Sequence, residues 1–212
     1  MEKRLSFNGL KFVPYISEER IQKRISEIAA LLREEYGDKE PLVVCVLNGA
    51  FIFAADLFRE MDIHKAEICF VRYSSYEGTS STGSVKLMTG LPDVKGRDVI
   101  IVEDIVDTGL TAVKMIDDLK KLNPASVKFV TLLHKKESSK TGFKPDFTAF
   151  EIDPKFIIGY GLGYLRDHPH PAGFHLPWQA AGFRPDRRRG QRIVSGYCAA
   201  SGPPHPLVRR QR

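Results

Sequence analysis

Apolar residues recur at helical spacing after Ser17, which reads as an N-cap: Ile21, Ile25, Ile28, Leu31 and Leu32 share one stripe that stops near Gly37. The pattern then changes. Residues 42–47 (LVVCVL) are apolar without polar alternation, as in a strand buried on both faces of a parallel sheet. A turn at Asn48-Gly49-Ala50 leads to a second helix with Phe53, Leu57, Phe58 and Met61 on its inner face. Residues 67–71 (EICFV), 99–102 (VIIV) and 127–133 (VKFVTLL) are further strand candidates. From Ala112 a helical stripe returns with Val113, Ile116, Leu119 and Leu122. Strands alternating with helices predict an α/β domain with a mostly parallel sheet and helices on both faces.

Residues 72–86 (RYSSYEGTSSTGSVK) break this rhythm. They are rich in Ser, Thr and Gly and almost free of aliphatic side chains, so they cannot bury themselves and read as a linker, mobile loop or hairpin tip.

The chemistry concentrates at residues 99–111 (VIIVEDIVDTGLT). The apolar strand ends abruptly at Glu103 and Asp104, where open α/β sheets place their ligands. The loop that follows carries Asp107, Thr108, Gly109, Leu110 and Thr111. Its backbone N–H groups and two hydroxyls can face an anion, with the positive end of the next helix behind them. Carboxylates beside such a cradle repel an anion unless the ligand also brings hydroxyls or a cation, and a ribose 5-phosphate meets that need. Gly-Lys-Ser/Thr and Gly-x-Gly-x-x-Gly are both missing, which excludes a Walker A loop and a dinucleotide fingerprint. Asp-Thr-Gly also occurs in aspartic proteases, but that fold is all-β and the helix directly after the triplet argues against it.

This stretch resembles the phosphoribosyl pyrophosphate (PRPP) signature of type I phosphoribosyltransferases, in particular their hypoxanthine-guanine branch. The resemblance implies a small hood, built from the N-terminus and residues near 147–162, beside the parallel sheet. It implies transfer of a 5-phosphoribosyl group from PRPP to hypoxanthine or guanine with loss of pyrophosphate. Glu103 and Asp104 would hold the ribose hydroxyls and Mg²⁺, and Asp107, Thr108, Gly109, Leu110 and Thr111 the 5-phosphate loop, with Asp107 as the base that accepts the purine proton. Asn48 and Gly49 match the pyrophosphate turn, Ser75 and Tyr76 a pair in a closing lid. Lys135 matches the lysine that contacts the purine, Phe156 the stacking aromatic and Ile157 the residue that meets the base edge through its backbone. Without the resemblance, Gly49 is a turn glycine and Lys135 a solvated lysine at a strand end. His64 and His134 read as surface histidines.

Composition changes this picture at one end only. Residues 1–163 hold 23 Lys and Arg against 24 Asp and Glu, whereas residues 164–212 hold 9 Arg, no Lys and 2 Asp. The net charge of +6 therefore belongs to the tail, and nucleic acid is not expected as a partner of the body. Seven of 13 prolines and four of six histidines also lie in the tail, without periodicity. The expected division is a phosphoribosyltransferase domain at 1–163 and an Arg/Pro-rich, disordered appendage at 164–212. The resemblance stops at Leu162: Gly163 stands where the family has a metal-binding Asp, and Pro169 where it has an Arg near the pyrophosphate. A shifted reading frame, a natural extension or a basic arm for RNA or membrane each accounts for such a tail. An impaired enzyme or a PRPP-binding regulator is the alternative function. Cys45, Cys69 and Cys198 have no metal spacing and read as reduced thiols. No apolar run reaches membrane length and the start lacks a secretory h-region, so a cytoplasmic protein is expected; a homo-oligomer, dimer or tetramer, is a separate expectation.

Overall fold

The computed structural model describes residues 5–7, 10–75, 85–162 and 197–201. They fall into two units, Gln22–Pro154 and the combination of Met1–Ile21 with Lys155–Arg212.

The larger unit contains six strands: β3 (Leu42–Leu47), β4 (Glu67–Ser75), β5 (Val85–Leu87), β6 (Asp98–Val106), β7 (Ser126–His134) and β8 (Phe147–Glu151), in sheet order β5-β4-β3-β6-β7-β8. Strands β4, β3, β6, β7 and β8 are parallel, and β5 pairs antiparallel to β4. The central run Val99, Ile100, Ile101 and Val102 is fully buried, as its unbroken apolar character requires. Val99 and Ile101 share one face with Val44, Val46, Tyr73 and Phe129, covered by helix α3 (Leu110–Lys120) through Ala112, Met115 and Leu119. Helix α2 (Phe51–Met61) packs on β3 and β6 through Phe53, Ala54, Leu57 and Met61. Helix α1 (Glu18–Tyr36) runs beside α2, joined by Gln22–Asp56 at 3.2 Å and Ser26–Glu60 at 2.8 Å.

Several expectations need correction. Leu31 is 51% exposed because it lies roughly 90° from the centre of a stripe made by Ile21, Ile25, Ile28 and Leu32. In α3 the small Ala112 and flexible Met115 face the sheet, Val113 is only half-buried, and Leu122 lies beyond the helix and is exposed. Phe58 is half-buried. The strand through residues 99–102 does not end at the acidic pair: Glu103, Ile105 and Val106 still pair with Thr131, Leu133 and His134. Residues 147–151 are not hood but the outer strand of the main sheet. The polar stretch 72–86 is a hairpin arm at both ends, with Tyr73, Ser74 and Ser75 opposite Leu87, Lys86 and Val85.

In the smaller unit, β1 (Leu5–Phe7), β2 (Leu10–Ile16), β9 (Ile157–Ile158) and β10 (Tyr197–Ser201) form an antiparallel sheet ordered β1-β2-β10-β9. Strand β10 comes from the tail, where composition signalled no strand. It spans the gap between its neighbours, with Ala199 opposite Val13 on one side and Ile157 on the other. Among the described residues β9 has no other sheet partner. Deletion of residues 197–212 is therefore expected to speed amide exchange at Ile157 and Ile158, measurable by mass spectrometry, and unchanged exchange there would show that β10 does not hold them. No helix among the described residues is long and apolar enough to cross a membrane.

Candidate active site

Strands β3 and β6 pair from Leu42–Val99 to Cys45–Val102 and then part. The turn after β3 and the acidic end of β6 face one another across that opening. The Leu47–Asn48 peptide is cis, Asn48 is exposed and Gly49 half-buried. Asp104 is only 7% exposed, and its Oδ1 accepts a 2.7 Å hydrogen bond from the Ile105 N–H. Its Oδ2 lies 1.6 Å from where a Cβ on Gly49 would be. The carboxylate thus occupies the space that glycine leaves empty. Gly49 has no left-handed φ, so room rather than conformational freedom explains glycine here.

Behind the pair, burial, reinforced by the negative charges of Glu103 and Asp104, pushes the Cys45 thiol up to about 12. Cys69 is pushed up to about 11, also chiefly by burial. Both are free thiols that stay protonated at neutral pH, unsuited to nucleophilic work.

Beyond Val106 the chain turns through Asp107, Thr108 and Gly109 into α3. Gly109 is the N-cap at φ +80°, a conformation that disfavours any residue with a Cβ. Leu110 and Thr111 already belong to the first helical turn, so their N–H groups point out of the helix start. Lys135, one residue past β7, reaches back. Its Nζ donates to Asp107 Oδ2 at 3.0 Å, with the lysine side chain 15% exposed and the aspartate 50%. The structure thus brings Asp107 and Lys135 together although 28 residues separate them.

The remaining candidates are more dispersed. Ser75 ends β4, and Tyr76 lies outside the described residues, as do Gly163 and Pro169. Phe156 and Ile157 belong to the smaller unit. The Phe156 ring packs 6.2 Å from Phe12, remaining 37% exposed, and Ile157 is buried in β9.

His134 corrects the expectation of a surface histidine: it is 4% exposed, its Nε2 has no hydrogen-bond partner among the described residues, and burial lowers its pKa. A histidine ending a buried strand follows the strand inward, and no polarity scale signals that. The folded pKa lies below the unfolded value of about 6.5, so the unfolded chain takes up the proton first. This contribution to stability is present above pH 6.5 and lost as pH falls through the folded value. His134→Gln is expected to flatten the acid side of a stability–pH curve from denaturant unfolding, and an equal slope in both proteins would contradict this.

Glu103 and Asp104 are the carboxylates that would hold the Mg²⁺ the resemblance implies. No cluster of three or more ligating side chains occurs among the described residues. Mg²⁺ asks for less, since it binds through one or two carboxylates plus waters and substrate oxygens. At Gly49 the missing side chain leaves the space that Asp104 Oδ2 fills.

Comparison with known proteins agrees with this geometry. The model of the phosphoribosyl transferase domain matches residues 16–165, and the chain belongs to that family. A hypoxanthine-guanine phosphoribosyltransferase of Bacillus subtilis is 44% identical over 151 residues, covering 70% of this chain and 83% of that relative. Among solved structures, a hypoxanthine-guanine phosphoribosyltransferase from Bacillus anthracis superposes with a TM-score of 0.68 at 30% identity, over 88% of this chain and 96% of its own. Hypoxanthine phosphoribosyltransferase from Trypanosoma cruzi, in complex with the product IMP, has a TM-score of 0.68 at 33% identity over 77% and 92%.

Proposed function

We propose that the protein transfers the 5-phosphoribosyl group of PRPP to hypoxanthine or guanine, forming IMP or GMP and pyrophosphate in purine salvage. The observation that carries this reading is the Asp107–Lys135 contact at the head of α3. A 6-oxopurine presents a ring N–H and the 6-oxo acceptor side by side on one edge. Asp107 takes the ring proton and Lys135 donates to the 6-oxo group, so the base replaces the contact the two side chains make with each other. The first turn of α3 with Thr108, Gly109, Leu110 and Thr111 holds the 5-phosphate, and Glu103 and Asp104 the ribose hydroxyls. These two carboxylates would also hold Mg²⁺, which when bound neutralises charge on the leaving pyrophosphate. Asn48 and Gly49 line the pyrophosphate side, and Ser75 and Tyr76 belong to the lid that keeps water from the ribosyl centre. The purine roles of Phe156 and Ile157 rest on the family resemblance.

We assign the activity to residues 1–163, to which the tail adds strand β10 of the small sheet. A homo-oligomer is consistent with the exposed aromatic pair Phe51 and Phe70, whose rings lie 6.3 Å apart, and a cytoplasmic setting with the free thiols Cys45 and Cys69.

Competition of hypoxanthine, guanine and adenine for PRPP with Mg²⁺, followed by nucleotide formation, tests the reading. The 6-amino group of adenine faces the Lys135 donor with another donor, and leaving a buried donor unpaired costs about 1–3 kcal/mol. The 6-oxopurines are therefore expected to be preferred at least about fivefold. Preference for adenine would remove Lys135 from its role, and PRPP binding without nucleotide would point to a regulator.

A further inference from the structure

The segment after β7 holds the catalytic turn at three successive residues. The Lys135 N–H donates to the Val106 carbonyl at 2.9 Å, the Lys135 ammonium to Asp107 at 3.0 Å, and the Lys140 N–H to the Thr108 carbonyl at 2.9 Å. The next residue of the turn is met sterically. A Cβ on Gly109 would stand 2.3 Å from Thr141 Oγ1 and 3.3 Å from Phe143 Cβ, so segment and turn touch without a gap. The segment is anchored in its own right. The Phe143 ring meets Phe129 of β7 edge-on at 5.1 Å, against the main core, and the Phe143 N–H closes a turn onto Thr141 Oγ1 at 3.2 Å.

We propose that residues 135–143 are a brace that sets the position of Asp107 and the 5-phosphate turn, with the Lys140 N–H and the Thr141 side chain as positioning groups. This deepens the proposed function and rests on it for the role of Asp107. The brace joins the two substrates, because the residue assigned to the purine, Lys135, begins the segment that fixes the phosphate turn. Neither Lys140 nor Thr141 touches a reacting atom. Both side chains are exposed, so sequence alone marks them as ordinary loop residues.

The test compares Lys140→Pro, which removes the N–H, with Lys140→Ala, which keeps it. Lys140→Ala should match the wild type. Lys140→Pro should lower kcat on the order of 10²-fold, the cost of misplacing a reacting group by about 1 Å. It should also speed amide exchange at Thr108–Leu110 but not in the core strands β3 and β6. Thr141→Gly, which empties the space facing Gly109 and leaves the backbone donor, should raise exchange at the same amides and raise KM for PRPP. A folded Lys140→Pro protein with wild-type kcat and wild-type exchange would overturn the brace. If that variant does not fold, Thr141→Gly decides alone, and wild-type exchange and KM there would overturn it equally. Exchange needs no turnover, so a wild-type protein that makes no nucleotide would remove the proposed function and leave the brace to stand or fall on the amides.

Discussion

Asp107→Asn is expected to lower turnover by roughly 10²- to 10⁴-fold, the range of a lost general base, with little change in KM for PRPP. Asparagine has nearly the same shape, and its amide oxygen can still accept from Lys135 Nζ where Oδ2 now does at 3.0 Å. What it lacks is an oxygen that can take a proton. The 5-phosphate turn is held through backbone groups on both sides of Asp107, and these the substitution leaves alone. Stability should also change little, since Asp107 is half-exposed and exposed ion pairs contribute about 0–1 kcal/mol. Steady-state kinetics with both substrates varied would check this. Turnover near the wild-type value would take Asp107 out of the mechanism, and a loss confined to KM for PRPP would make it a binding residue.

The parts of this site that the sequence reveals are those where one chain segment does everything. Residues 99–111 carry the buried strand, the acidic pair and the turn in one run, and all of them stand together in the structure. The Asp107–Lys135 contact, by contrast, depends on β6 and β7 being neighbours in register, Val106 opposite His134. No periodicity within either segment contains that information; only the family resemblance anticipated a role for Lys135.

The same distinction separates the strands that were legible from those that were not. Strands β3, β6 and β7 announce themselves because their central runs are covered on both faces and are almost wholly apolar: residues 42–47, residues 99–102, and residues 129–133 with Thr131 the one polar member. Strand β8 is an edge with Ala149 buried and Glu151 exposed, a weak alternation over five residues. Strand β5 and the far end of β4 exist only by pairing with one another. Strand β10 is further removed still: its partners supply the reason it is a strand, and its own composition supplies none. Likewise the acidic pair reads as a strand end because Glu103 and Asp104 are poor strand formers, yet backbone bonds to β7 carry the strand through them to Val106.

Gly49→Ala is expected to lower kcat/KM for PRPP on the order of 10²-fold or more through Asp104 rather than through the fold. The added methyl carbon would stand 1.6 Å from Asp104 Oδ2 and 2.6 Å from its Cγ, so one group must move. The backbone at Gly49 is not in the left-handed region and accepts alanine without conformational strain, and the contact is with the end of a side chain. The carboxylate therefore gives way, breaking the 2.7 Å bond from the Ile105 N–H and leaving its place in the cleft. Loss of function should thus exceed loss of stability. A double-mutant cycle separates the causes. If Gly49 serves to make room for Asp104, Gly49→Ala should cost almost nothing further once Asp104 is already alanine. Full additivity of the two losses would instead mean that Gly49 acts through its own backbone, on the pyrophosphate side of the cleft. The response to Mg²⁺ gives an independent reading, because a displaced Asp104 should shift half-saturation to higher Mg²⁺, whereas a change limited to the turn at Asn48 and Gly49 should leave it in place.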